Sequence, residues 1–116
     1  MEGRRGLAVI FYSDRVSKPL QGAAMAKVEL TRHLFAFFPQ LEGAELNVDA
    51  RTVADVVHGL EAIAPGFAFY VCDELGRLRL HVNIFIGDAR IVDRARLTDR
   101  LEGDSRVTIM QSLSGG

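Results

Sequence analysis

Apolar and polar positions along this chain fall into short alternating bursts on either side of one long helical stripe. Val28, Leu30 and Leu34 alternate with Glu29, Thr31 and His33, which predicts a half-buried strand. Pro39 and Gly43 mark a turn, after which Leu46 and Val48 alternate with Glu45, Asn47 and Asp49. That second strand is expected to pair with the first as a hairpin. Thr52 and Asp55 form an approximate capping box and start a helix, because the hydroxyl accepts an orphan amide hydrogen and the carboxylate suits the positive helix end. Val53, Val56, Val57, Leu60, Ile63 and Ala64 make one apolar stripe, with Asp55, His58 and Glu61 pointing away. Pro65-Gly66 ends it.

Beyond the helix, Phe67, Phe69 and Val71 alternate and lead into Asp73-Glu74-Leu75-Gly76-Arg77, which predicts an irregular loop or hairpin with Gly76 at positive φ. Val82, Ile84 and Ile86 form a strand, Gly87-Asp88 a tight turn, and Arg90 to Val92 a short strand. Leu97 to Leu101 read as one helical turn. Gly103-Asp104 then leads into a last strand in which Val107 and Ile109 face one way. The order is strand, strand, helix, strand, short strand, strand. It predicts an α+β fold with one main helix over a mixed four- to five-stranded sheet, the last strand returning beside the first in the β-grasp arrangement.

Composition narrows the possible roles. The chain has 116 residues, 48% of them hydrophobic, and a mean hydropathy of +0.12, which suits one folded domain. A net charge of −1 with no basic-aromatic cluster argues against nucleic acid as a partner. The run Leu7 to Tyr12 is too short to span a bilayer and is broken by Ser13-Asp14-Arg15, so no membrane role is expected. Cys72 is the single cysteine, which excludes an internal disulfide and favours a cytoplasmic setting. Residues 1–24, which carry Pro19 and Gly22, read as an N-terminal extension, either disordered or the product of an upstream mis-assigned start codon. The folded domain is expected to run from 25 to 116.

Most of the candidate chemistry is unremarkable. Cys72 sits in the apolar run Phe67 to Cys72 and is expected to be buried, with a sulfur-relay role the lesser reading. His33, His58 and His81 lack metal-ligand spacing, and no catalytic carboxylate pair or phosphate-binding glycine loop stands out. The ending is the exception. Gly115-Gly116 follows the last strand after a short tail, and a carboxylate on two residues without side chains can enter a narrow channel in another enzyme.

From about Lys27 to its end the chain resembles the MoaD/ThiS family of ubiquitin-like sulfur carriers. The resemblance rests on KVELTRHLF, TVADVVHGLEAIAPG, LRLHVNIFIGDARI and LEGDSRVTIMQSLSGG in that order. It implies a non-enzymatic protein cosubstrate with no bound cofactor. A partner adenylating enzyme, using ATP, would activate the Gly116 carboxylate, sulfur would then replace AMP, and a synthase would accept the sulfur from the thiocarboxylate. Leu113, Ser114 and Gly115 would line the partner's channel, although Leu113 and Ser114 depart from the small apolar residues often found there. The long segment PGFAFYVCDELGRLRL leans towards carriers serving molybdopterin or cysteine biosynthesis. Phe85 and Met110, on the sheet face away from the helix, are a candidate docking patch. Two other roles are compatible with the same residues: a modifier joined through Gly116 to lysine, and a β-grasp interaction module.

Overall fold

The computed structural model describes residues 25–43 and 45–112. The expectations about residues 1–24 and about the tail after Ser112 fall outside them. β1 (Met25–Leu30) buries Ala26 and Val28 on one face and exposes Lys27 and Glu29 on the other. It ends sooner than its alternation predicts. Leu34 belongs instead to a short helix, α1 (Arg32–Phe37), followed by a 3₁₀ turn over Pro39–Leu41. Leu34, Phe38 and Leu41, at i, i+4 and i+7, are all buried, so helical spacing carries more apolar surface inward than an extended chain would. β2 (Leu46–Asp49) pairs antiparallel with β1 as expected, with Ala26 opposite Val48 and Val28 opposite Leu46. The link between them is helical rather than a hairpin turn.

The main helix, α2 (Val53–Ile63), begins at Thr52 with the predicted reciprocal cap. The Thr52 hydroxyl accepts from the Asp55 amide at 3.3 Å, and the Asp55 carboxylate accepts from the Thr52 amide at 3.3 Å. Two further amides of its first turn donate to the loop: Val53 to the Asp99 carbonyl at 3.1 Å and Ala54 to the Leu97 carbonyl at 2.9 Å. That use of its carbonyls explains why 97–101 is not the expected helical turn; Leu97 itself has φ of 59°. The orphan donors of one helix are satisfied by a strained loop. Val53, Val56, Val57 and Leu60 are buried against the sheet, as the stripe predicts.

A second departure follows Pro65-Gly66. Gly66, at φ of 101°, ends α2 and starts a third helix, α3 (Phe67–Val71), where a loop or hairpin is expected. Phe67 and Val71, four apart, are fully buried, while Phe69 is exposed. The Glu61 carboxylate accepts from the Gly66 amide (3.1 Å to each oxygen) and from the Ala68 amide (2.8 Å), so α2 itself caps the helix that follows. The turn at 73–77 forms as predicted, with Gly76 at φ of 83°.

β3 (Val82–Ile86) turns through Gly87-Asp88 into β4 (Ala89–Arg90), one residue earlier and shorter than the predicted 90–92. Val92 and Asp93 donate their amides to the Asp99 carboxylate at 2.9 and 2.8 Å, which draws the chain off the sheet. β5 (Arg106–Gln111) then lies in the centre, parallel to β1 and antiparallel to β3. The sheet order is β2-β1-β5-β3-β4, with the helical layer over the face that carries Val28, Val48, Ile84, Val107 and Ile109. This is the ubiquitin-like β-grasp fold, with the predicted main helix and two short ones that the pattern did not reveal.

Candidate functional site

The surroundings of the tail's root follow from where β5 stops. Gln111 pairs with Val82 across the sheet, its amide donates to the Thr31 hydroxyl at 3.3 Å, and its side-chain oxygen accepts from the Tyr70 hydroxyl at 3.1 Å. The Ser112 amide donates to the His81 carbonyl at 2.8 Å. The tail is thus rooted in β1–α1, α3 and the entry to β3 at once. Leu113, Ser114, Gly115 and Gly116 lie outside the described residues. Four residues reach at most about 14 Å when extended, which bounds how far Gly116 can stand from Ser112.

Phe85 and Met110 do share the sheet face that the helices leave open. Phe85 is opposite Thr108 and Asn83 opposite Met110, so the two apolar side chains are diagonal neighbours. Met110 is exposed and Phe85 is half-buried. The Arg90 guanidinium sits 5.8 Å from the Phe85 ring centroid, and Lys27, Glu29, Thr108 and Arg106 occupy the same face. The pair is therefore a narrow apolar feature in polar surroundings.

More exposed apolar groups lie on the segments that hold the root of the tail, and the strand pattern gave no sign of them. Phe37 is 60% exposed and Leu80 93% exposed. The Phe37 ring lies 5.0 Å from that of Tyr70, and Tyr70 in turn packs edge-on against Phe38 at 5.5 Å. Phe37 was recoverable only by phasing α1 on Leu34, Phe38 and Leu41, which turns Phe37 outward.

Cys72 is 6% exposed. Burial, and secondarily the Asp73 charge, push its thiol pKa up, which makes it a poor nucleophile and supports the structural reading. It lies beneath an open groove of about 560 Å³ between α2, α3 and the 95–97 loop, lined among others by Val57, His58, Phe69, Leu75 and Arg96. Among the described residues no group of three or more His, Cys, Asp or Glu side chains could hold a metal ion. Asp73 is held below the ordinary carboxylate value, first by the Arg77 amide; Asp93 likewise, first by the Thr98 hydroxyl. Both carboxylates organise turns. None of the described helices is long and apolar enough to cross a membrane.

No protein-family model matches the chain, and no curated protein matches it. Solved structures do. SAMP1 from Haloferax volcanii superposes with a TM-score of 0.63 at 20% identity, over 80% of this chain and 100% of that one. The small archaeal modifier protein 1 from Methanosarcina acetivorans gives 0.65 at 23% identity, over 81% and 98%. A chain of the Amycolatopsis orientalis BexX/CysO complex gives 0.63 at 18% identity, over 78% and 99%. At these identities the likeness establishes a shared fold across the whole of each neighbour.

Proposed function

We propose that this chain is a ubiquitin-like sulfur carrier of the MoaD/ThiS type, a cytoplasmic protein cosubstrate whose working group is the Gly116 carboxylate. One observation carries the reading: the strand at the centre of a β-grasp sheet runs out at Gln111, with three residues between it and Gly115-Gly116. A rigid body thus holds a short tail with a terminus slim enough for a channel. The neighbours of the same fold, which include proteins named small archaeal modifiers and a CysO complex, support it.

In the reaction proposed, a carboxylate oxygen of Gly116 attacks the α-phosphate of ATP on a partner adenylating enzyme, and pyrophosphate leaves. Hydrosulfide then adds to the acyl carbon of the adenylate, the acyl C–O bond breaks and AMP leaves with its electron pair, giving a thiocarboxylic acid that ionises to the thiocarboxylate and a proton. The chain need supply no acid, base or metal, only position. A synthase of molybdopterin or cysteine formation is the proposed sulfur acceptor.

The test is ATP–pyrophosphate exchange with the adenylating enzyme, together with the intact mass of the native protein. Deleting Gly116 shortens the reach by about 3.3 to 3.6 Å, more than reacting atoms tolerate, so exchange should vanish while the melting temperature holds. Persistent exchange would refute the role of Gly116. A sulfur-for-oxygen mass exchange marks a carrier, lysine-linked adducts a modifier, and neither a plain interaction module.

A further inference from the structure

Resting on the carrier reading, we infer that Tyr70 and Thr31 are positioning residues for the reaction at Gly116: together they lock Gln111, the last residue of β5, and so fix the direction in which the tail leaves the body. Backbone pairing with β1 does not reach this far. β1 ends at Leu30, opposite Ile109, and the Thr31 amide donates to the Ile109 carbonyl at 3.2 Å before the chain turns into α1. The next rung is made by a side chain, the Thr31 hydroxyl, which accepts from the Gln111 amide at 3.3 Å. Thr31 is the N-cap residue of α1, where a hydroxyl ordinarily accepts from the helix's own first amides, yet it makes no capping bond. Its hydroxyl serves the root of the tail and not its own helix.

The second hold is Tyr70. Val107, Ile109 and Gln111 follow one another on the face beneath the helices, and the third of these inward positions is polar where the first two are apolar and buried. The Tyr70 hydroxyl donates to the Gln111 side-chain oxygen at 3.1 Å. The Tyr70 ring packs against Phe37, 5.0 Å away between centroids, and edge-on against Phe38 at 5.5 Å, so the direction of its hydroxyl is set by packing before Gln111 is engaged. An apolar residue at 111 would continue the inward stripe but could not make this bond. With Ser112 bonded to the His81 carbonyl as well, the root is held by α1, α3 and the entry to β3 together. The lever is long: a tilt of about 15° at Ser112 carries the end of an extended tail of about 14 Å sideways by about 3.6 Å, as much as the whole separation that reacting atoms tolerate.

The experiment compares the full chain with Tyr70→Phe, Thr31→Val, their double variant and Thr31→Ser in ATP–pyrophosphate exchange on the adenylating enzyme, over a range of carrier concentrations. Amide hydrogen exchange and a thermal melt accompany each. Losing one hydrogen bond shifts a held-to-frayed ratio by about two- to tenfold, and the two losses compound in the double variant. That variant should lower kcat by about fivefold or more with KM within about twofold, because the body keeps its outer surface and only the presentation of the carboxylate suffers. Its Gln111 amide should exchange faster with solvent while the centre of β5 stays protected. Thr31→Ser, which keeps the hydroxyl, should match the unaltered chain. A double variant whose kcat stays within about twofold overturns the inference, as does a rise in KM at constant kcat, which would make these side chains contacts for the partner. An equal loss in Thr31→Ser overturns it too, since the role would then be one of folding alone. All three results leave the carrier reading in place. Absence of pyrophosphate exchange with the unaltered chain would overturn the carrier reading, and this inference with it.

Discussion

Replacing Glu61 with Ala tests how α2 and α3 are joined. The carboxylate accepts from two amides at the start of α3, Gly66 at 3.1 Å and Ala68 at 2.8 Å, the second partly buried. Without it the Gly66 amide can turn to water at small cost, whereas the Ala68 amide loses its partner in a drier place. Loss of a comparable helix cap costs about 0.5 to 2 kcal/mol, and bonds to charged acceptors lie at the upper end. An opposing effect comes from α2, where a negative charge in the last turn faces the negative end of the helix dipole, and its removal returns about 0.3 to 0.5 kcal/mol. The cap should win, leaving a net loss of about 1 to 1.5 kcal/mol. For a domain of this size that is a fall of about 5 to 10 °C in Tm. Glu61→Gln keeps one acceptor oxygen and removes the charge, so it should fall between. Thermal melts and hydrogen exchange at Ala68 read both consequences. A Glu61→Ala protein that melts with the unaltered chain and keeps Ala68 protected would refute the idea that α2 caps α3.

Three other outcomes follow from the same structure. Leu60 is fully buried on α2, and Leu60→Ala should cost about 2 to 4 kcal/mol in urea unfolding; a loss below about 0.5 would mean that the stripe does not face the sheet. Asp93, whose folded pKa is depressed chiefly by the Thr98 hydroxyl, contributes stability that is present above the unfolded carboxylate value of about 3.9 and lost as pH falls through the folded one. Asp93→Asn should therefore flatten the acid side of a Tm-versus-pH curve, and an unchanged slope below about pH 4 would show that Asp93 does not matter there. A chain starting at Met25 should melt within about 2 °C of the full chain, since residues 1–24 carry no second apolar face; a large loss would mean that Leu7 to Tyr12 adds a strand.

What the residues made legible was the part governed by local rules. Thr52 and Asp55 capped α2 as their spacing implied, and Val82, Ile84 and Ile86 alternated because one side of β3 faces the core. The errors arose where packing overrode local preference. Phe67, Phe69 and Val71 have strand-forming side chains in strand-like alternation, yet burying Phe67 and Val71 together under a cap from Glu61 demands a helix. Leu34 alternates too, but reaches the core only through α1. Leu97 takes a positive φ with no glycine to announce it, because the α2 amides claim its carbonyl and that of Asp99. The site shows the same division. The diglycine could be read directly, whereas the Phe37–Tyr70 ring pair is built from α1 and α3, the two helices that the pattern concealed.

The position of β5 bears on the body's resistance to force. β1 and β5 run parallel, so traction on the tail against a body held at Met25 drives the two strands past each other lengthwise. Four residue pairs on one side of β5 and five on the other then share the load at the same moment, instead of opening in turn as at a peeled edge. The bond from Ser112 to the His81 carbonyl continues the β3–β5 register one pair towards the tail. A pull on the tail therefore loads the ladders in shear, the geometry in which paired strands resist most.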